Sequence, residues 1–232
     1  MFIGILFSVI VSASVSMFSF LTFAVRPREL TSGQRAFVIF WFLMGFVWLA
    51  TAVADFLSYA DRRDLSLKAT YVLQIFVGAS LIAAAYFLAT YVLNAWRRKE
   101  IAWAYGIAYC FFLITLFTFE VRPRGESFFS TQNISPDTTL FIFIGMFIPL
   151  WVGSLILLVR AIRDQKISIE GGRTFYIFSA LSLLILGIAG APDEIGFVAG
   201  WAVTASRLAS MVAAITAYAA TLSLHDSKEL IV

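Results

Sequence analysis

The sequence predicts an all-α membrane protein, a seven-transmembrane-helix bundle with its N-terminus outside and its C-terminus cytoplasmic. Three observations carry that reading. Residues are 61% hydrophobic and only 13% charged, with mean hydropathy +0.90. A water-soluble exterior cannot be built from so few charges. Seven apolar stretches of membrane-spanning length account for most of the 232 residues, and the basic residues between them are unevenly divided.

A span needs about 20 residues, because each helical residue rises about 1.5 Å across a hydrocarbon core of about 30 Å. The stretches are Phe2–Val25, Ala36–Ala60, Ala69–Trp96, Ile101–Phe119, Thr138–Val159, Thr174–Gly190 and Ile195–Leu222. In lipid the backbone must satisfy its own hydrogen bonds, and continuous apolar runs of this length do so as helices. Span 1 lacks the basic leader of a signal peptide and its apolar run is too long for one, so it reads as a helix. The connections are short, leaving one domain over 1–232. Arg26, Arg28, Arg35, Arg97, Arg98, Lys99, Arg160, Arg163, Lys166, Arg173 and Lys228 fall on one side. Arg62, Arg63, Lys68, Arg122 and Arg124 fall on the other. The positive-inside rule places the richer side in the cytoplasm, which suits the plasma (inner) membrane. The basic balance thus reports orientation and gives no argument for nucleic acid.

A heptapeptide recurs. Thr22-Phe23-Ala24-Val25-Arg26-Pro27-Arg28 closes span 1, and Thr118-Phe119-Glu120-Val121-Arg122-Pro123-Arg124 closes span 4. Six of seven positions match at an offset of 96. At an offset of 102, Leu65-Ser66-Leu67, Ile75-Phe76 and Ser80-Leu81 face Ile167-Ser168-Ile169, Ile177-Phe178 and Ser182-Leu183. Duplication would make 1–96 and 101–190 two units of three helices, with 195–222 an addition. Odd-numbered units insert with opposite orientation, giving the 3+3 inverted repeat familiar from transporters. Convergence is the other reading, since Arg-Pro ends helices naturally at a membrane surface.

The connection Glu120–Asp137 reads as a surface loop, with Phe128 and Phe129 dipping into headgroups and Asn133 opening a glycosylation sequon. Pro149, between Gly145 and Gly153, predicts a kink in span 5. Cys110, the lone cysteine, is expected to be a packed thiol.

Two ionisable residues lie inside spans, Asp55 in span 2 and Arg207 in span 7. Charge at that depth costs a few kcal/mol and normally faces the bundle interior. Three- and four-residue spacing puts Trp48, Thr51, Ser58 and Tyr59 on the face of Asp55, and Thr204, Met211 and Tyr218 around Arg207. Two rows of small residues, Ala205/Ala209/Ala213/Ala217 and Ala202/Ser206/Ser210/Ala214, predict a tight packing face on span 7. The candidate ligand or ion site, or buried ion pair, is therefore Asp55, Arg207, Gln74, Thr51, Tyr59 and Thr204, with Asp193 and Glu194 at its mouth. In the functional reading Asp55 is a proton or cation site and Arg207 an anion anchor. In the structural one the two lock span 7 to span 2.

Several chemistries are disfavoured. All four lysines fall in loops or tail, so no retinal Schiff base forms in a span, although the layout is similar to that of microbial rhodopsins. His225, the lone histidine, lies at the cytoplasmic end, which argues against haem with paired histidines and against His-rich zinc sites. Gly171-Gly172-Arg173 makes no phosphate cradle. No cofactor and no enzyme are expected. A small-solute or ion transporter or channel is the leading expectation. A seven-helix sensor is the alternative, and the layout resembles membrane sensor regions of bacterial signalling proteins, which would act through a separate signalling partner. A structural subunit or a homo-oligomer completes the set, and the lipid bilayer is the partner common to all.

Overall fold

The structure is a computed structural model. It describes residues 6, 9–11, 13–15, 30–92, 97–119, 122–126, 131–134, 137–163, 172–195 and 200–229. Residues 6, 9–11 and 13–15 are helical and form the described part of α1. Then follow α2 (Ser32–Tyr59), α3 (Arg63–Val92), α4 (Arg98–Thr118), β1 (Arg122–Glu126), β2 (Thr131–Ile134), α5 (Asp137–Arg163), α6 (Gly172–Ile195) and α7 (Gly200–Glu229). Among the described residues six helices, α2 to α7, are long and apolar enough to cross a membrane. Most of span 1, including the first heptapeptide copy, lies outside the described residues.

The distribution of side chains is the reverse of a water-soluble bundle. Asp55, Arg207, Gln34 and Gln74 are buried, while Trp103 and Phe141 are 75% and 78% exposed. On α2 the exposed row is Ile39, Phe42, Phe46, Leu49, Val53 and Phe56, and polar Thr51, Asp55 and Ser58 turn inward. Large apolar groups outside and charge inside is the arrangement a hydrocarbon surround favours. The molecule is a helical bundle of the kind polytopic membrane proteins form.

Helices α2 and α3 form a tight antiparallel hairpin, as do α6 and α7. Helix α5 packs on α6 and α3, and α4 packs on α3 and α5. The α2–α3 turn explains its own shortness. Asp61 adopts φ 57°. The N–H groups of Asp61 and Arg62 then bond back to the carbonyls of Ser58 and Leu57, at 3.0 and 2.8 Å. This is a Schellman stop in which an aspartate takes the left-handed position usual for glycine. At the far end of α2, Thr31 and Gln34 cap each other: Thr31 N–H donates to Gln34 Oε1 at 2.9 Å, and Gln34 N–H to Thr31 Oγ1 at 3.4 Å. That Thr-x-x-Gln box went unread in the sequence.

Near the capped end Phe37, Phe87 and Phe175 are fully buried and knot α2, α3 and α6, with ring centroids 5.0 to 6.3 Å apart. Two arginines of the basic side close helix ends there. Arg160 donates to the carbonyl of Val92 at 2.6 Å. Arg173 donates to those of Ala161 and Ile162, at 2.9 and 2.6 Å. Cationic donors at helix C-termini satisfy carbonyls left without intrahelical partners.

Three findings differ from expectation. The connection after α4 is no plain loop: β1 and β2 pair antiparallel, Arg122 facing Ile134 and Glu126 facing Thr131, with a register shift between Pro123 and Gly125. Chain leaving a bilayer regains water and side-by-side pairing serves its backbone as well as a helix does. Phe128 and Phe129 lie outside the described residues. Cys110 is exposed on α4 and not packed, because an apolar thiol is acceptable to a lipid-facing surface. Helix α6 runs through Ile195, so Asp193 and Glu194 belong to its last turn and not to a loop. Pro149 does sit within the continuous helix α5. Tyr105 of α4 donates to the carbonyl of Met146 at 2.9 Å, one residue from the carbonyl that Pro149 leaves without its usual donor.

Close packing depends on glycine notches. A Cβ on Gly78 would stand 2.6 Å from the Tyr109 ring, which seats α4 on α3 while its hydroxyl donates to Ile75 O at 3.1 Å. Gly78→Ala is expected to destabilise the protein by about 1–3 kcal/mol in reversible unfolding. Gly106→Ala, where nothing lies within 4 Å, is expected to change it by less than about 0.5 kcal/mol.

Candidate functional site

A polar seam runs between α2 and α3. Thr51, Asp55 and Ser58 follow at helical spacing on α2, and Ser66, Thr70 and Gln74 at four-residue spacing on α3; all six are buried. Two contacts set the register of the helices. Ser66 Oγ donates to Ala54 O at 2.9 Å, and Phe46 stacks on Phe76 at 5.0 Å. Between these contacts the antiparallel hairpin levels Gln74 with Trp48 and Thr70 with Thr51. Asp55 stands beside the Ser66 crosslink. The Thr51 and Thr70 hydroxyls donate within their own helices, to Val47 O at 2.9 Å and Ser66 O at 3.1 Å.

Helix α7 brings the cation. Arg207 is 5% exposed, and its guanidinium carbon lies 4.8 Å from the centre of the Trp48 ring, itself 5% exposed. Without competing water such a cation–π contact is worth about 2 kcal/mol. The sequence explains how so large a side chain enters. Ser206, Ser210, Ala213, Ala214 and Ala217 are buried and small, so α7 lies close against α6. Ser206 Oγ donates to Ala189 O at 2.6 Å, pinning α7 one residue from Arg207. The small-residue rows are only partly the packing face: Ala205 is exposed and Ala209 half-buried. Helix α7 therefore presents adjacent small and charged strips rather than opposite ones.

One contact between α7 and α2 runs from Arg207 to Trp48, two turns from Asp55 on the same face of α2. Asp55 is 2% exposed. Thr51 and Gln74 are buried at the same seam, and Thr204 is half-buried on α7. Tyr59 departs from the cluster. It ends α2 and is 60% exposed, because it lies on the side of the last turn away from α3, while Ser58 in the same turn is buried. The side chains of Asp193 and Glu194 lie outside the described set.

Sequence reading missed Ser66 and Thr70. Beginning span 3 at Ala69 left Ser66 in the connection, whereas α3 starts at Arg63 and carries it inward beside Thr70, which lay within the span but was not assigned to its polar face. Their signal was the four-residue period through Gln74 and Gly78. One donor of the cluster stands out: the indole Nε1 of Trp48 is buried with no hydrogen-bond partner.

Arg207→Gln is expected to lower stability by about 1–2 kcal/mol in detergent, through loss of the ring contact. Trp48→Phe keeps a ring beneath the guanidinium and is expected to lower it by about 1 kcal/mol or less. Comparison with protein-family models, curated proteins and solved structures finds no match to this chain.

Proposed function

We propose that the protein is a small-solute or ion transporter or channel of the plasma membrane, without catalytic activity, whose site is the polar cluster between α2, α3 and α7. One observation carries this reading: Asp55 and Arg207 are both buried inside a bundle whose exterior is apolar. Ionisable groups at such positions are costly, and pathways for ions and polar solutes are where membrane proteins commonly keep them. The seam of hydroxyls and amide beside them adds acceptors and donors that a purely structural contact would not need. In this reading Asp55 takes a cation or proton and Arg207 an anionic group.

The basic-residue distribution supports an N-terminus outside, so the α2–α3 turn opens to the exterior. Asp61→Cys in a Cys110→Ser background is then expected to react with a membrane-impermeant maleimide added to intact cells. Labelling only after lysis would reverse the orientation.

Flux in proteoliposomes tests the function. Asp55→Asn is expected to abolish flux of the transported solute while the purified variant stays folded by thermal unfolding. Wild-type flux in that variant would overturn the assignment of Asp55. If Asp55→Asn and Arg207→Gln each destabilise and their combination recovers stability, the cluster is a structural lock.

A further inference from the structure

Trp48 holds a donor that the fold does not use. Its ring face is taken by the Arg207 guanidinium at 4.8 Å, but its buried Nε1–H has no hydrogen-bond acceptor. Buried indole N–H groups usually find one. A cation on the ring face and an N–H at the ring edge together address an acceptor bearing negative charge. A carboxylate offers two oxygens, one for each.

Charge balance narrows the ligand further. Asp55 lies seven residues along α2, about 10 Å on the helix axis, so the cluster carries one acid and one base. A simple anion would leave net negative charge in a low-dielectric interior, and a simple cation net positive charge. A molecule bearing both signs keeps the balance. With a hydrogen bond of about 2.9 Å at each end, an axial spacing of about 10 Å matches ligand charges only a few bonds apart. We propose that the face formed by Trp48, Arg207 and Asp55 binds a short amino-acid zwitterion. Its carboxylate lies toward Trp48 and Arg207, and its ammonium toward Asp55. This rests on reading the cluster as a ligand site, and it holds whether the ligand crosses the membrane or is only sensed.

Thermal unfolding of the purified full chain in detergent tests it, with glycine, alanine and β-alanine as probes and acetate and methylammonium as half-ligands. At least one amino acid is expected to raise the midpoint, while neither half-ligand does so at equal concentration. Trp48→Phe is expected to weaken binding of that amino acid about ten- to a hundredfold, the loss of one hydrogen bond to a charged group. No shift with any of the three amino acids overturns the proposal, as does acetate acting as strongly as they do. Unchanged amino-acid affinity in Trp48→Phe removes the indole N–H from the site and overturns it too. The wild-type comparison with half-ligands decides the matter even if that variant fails to fold. Amino-acid binding without flux in liposomes would retire the transport reading and leave this one standing. Flux of another solute, indifferent to amino acids and to Trp48→Phe, would do the reverse.

Discussion

Hydrocarbon offers a carbonyl, a hydroxyl or a charge no partner, so each must find one inside the protein. That constraint accounts for most of the polar contacts between helices. Ser66 of α3 reaches the carbonyl of Ala54, Ser206 of α7 that of Ala189, and Tyr109 of α4 that of Ile75. Each side chain donates to the backbone of a neighbouring helix and so fixes register as well as proximity. Tyr105 does the same at Met146, one residue from the carbonyl that Pro149 leaves without its helical donor. The arginines apply the rule at helix ends: Arg160 and Arg173 close carbonyls of α3 and α5. The charges from which orientation is read thus also hold the bundle together.

Apolar burial cannot by itself hold helices together in a solvent as apolar as they are, so contact must come from shape. The structure supplies it through pairings of a glycine with an aromatic ring. Tyr91 lies against Gly33, Tyr109 against Gly78, and Trp151 against Gly187, each so close that a Cβ would stand within 2.6 to 2.7 Å. Two of those rings carry a hydroxyl that also bonds: Tyr91 to Thr31 Oγ1 at 3.0 Å and Tyr109 to Ile75 O at 3.1 Å. The small face of α7 works similarly against α6. Its consequence is functional, because close approach carries Arg207 into the bundle to meet Trp48.

The α2–α3 seam is where packing and chemistry meet. A sharp Schellman turn at Asp61 leaves the helices antiparallel and adjacent, so two modest periodicities, Thr51/Asp55/Ser58 and Ser66/Thr70/Gln74, become one polar surface. Neither row would be notable alone. Brought face to face and joined by Arg207 from α7, they form the only region among the described residues where acid, base, amide and hydroxyls are buried together.

Sequence by itself determined what depends on local composition. Helix class and the approximate course of spans 2 to 6 follow from apolar length, although α3 begins at Arg63 rather than Ala69 and α6 runs on to Ile195. The two charges at depth are conspicuous because lipid tolerates so few. It misjudged features whose solvent was misassigned: Cys110 faces outward because outside is apolar, and residues 122–126 and 131–134 pair as strands because chain beyond the bilayer meets water. Only tertiary structure decided which polar residues meet. Arg207 contacts Trp48, Ser66 joins the seam from a turn that reads as loop, and Tyr59 leaves the cluster although its spacing matches. Spacing along one helix tells which residues share a face. Which neighbour covers that face depends on where other helices pack, and contacts distant in sequence set that.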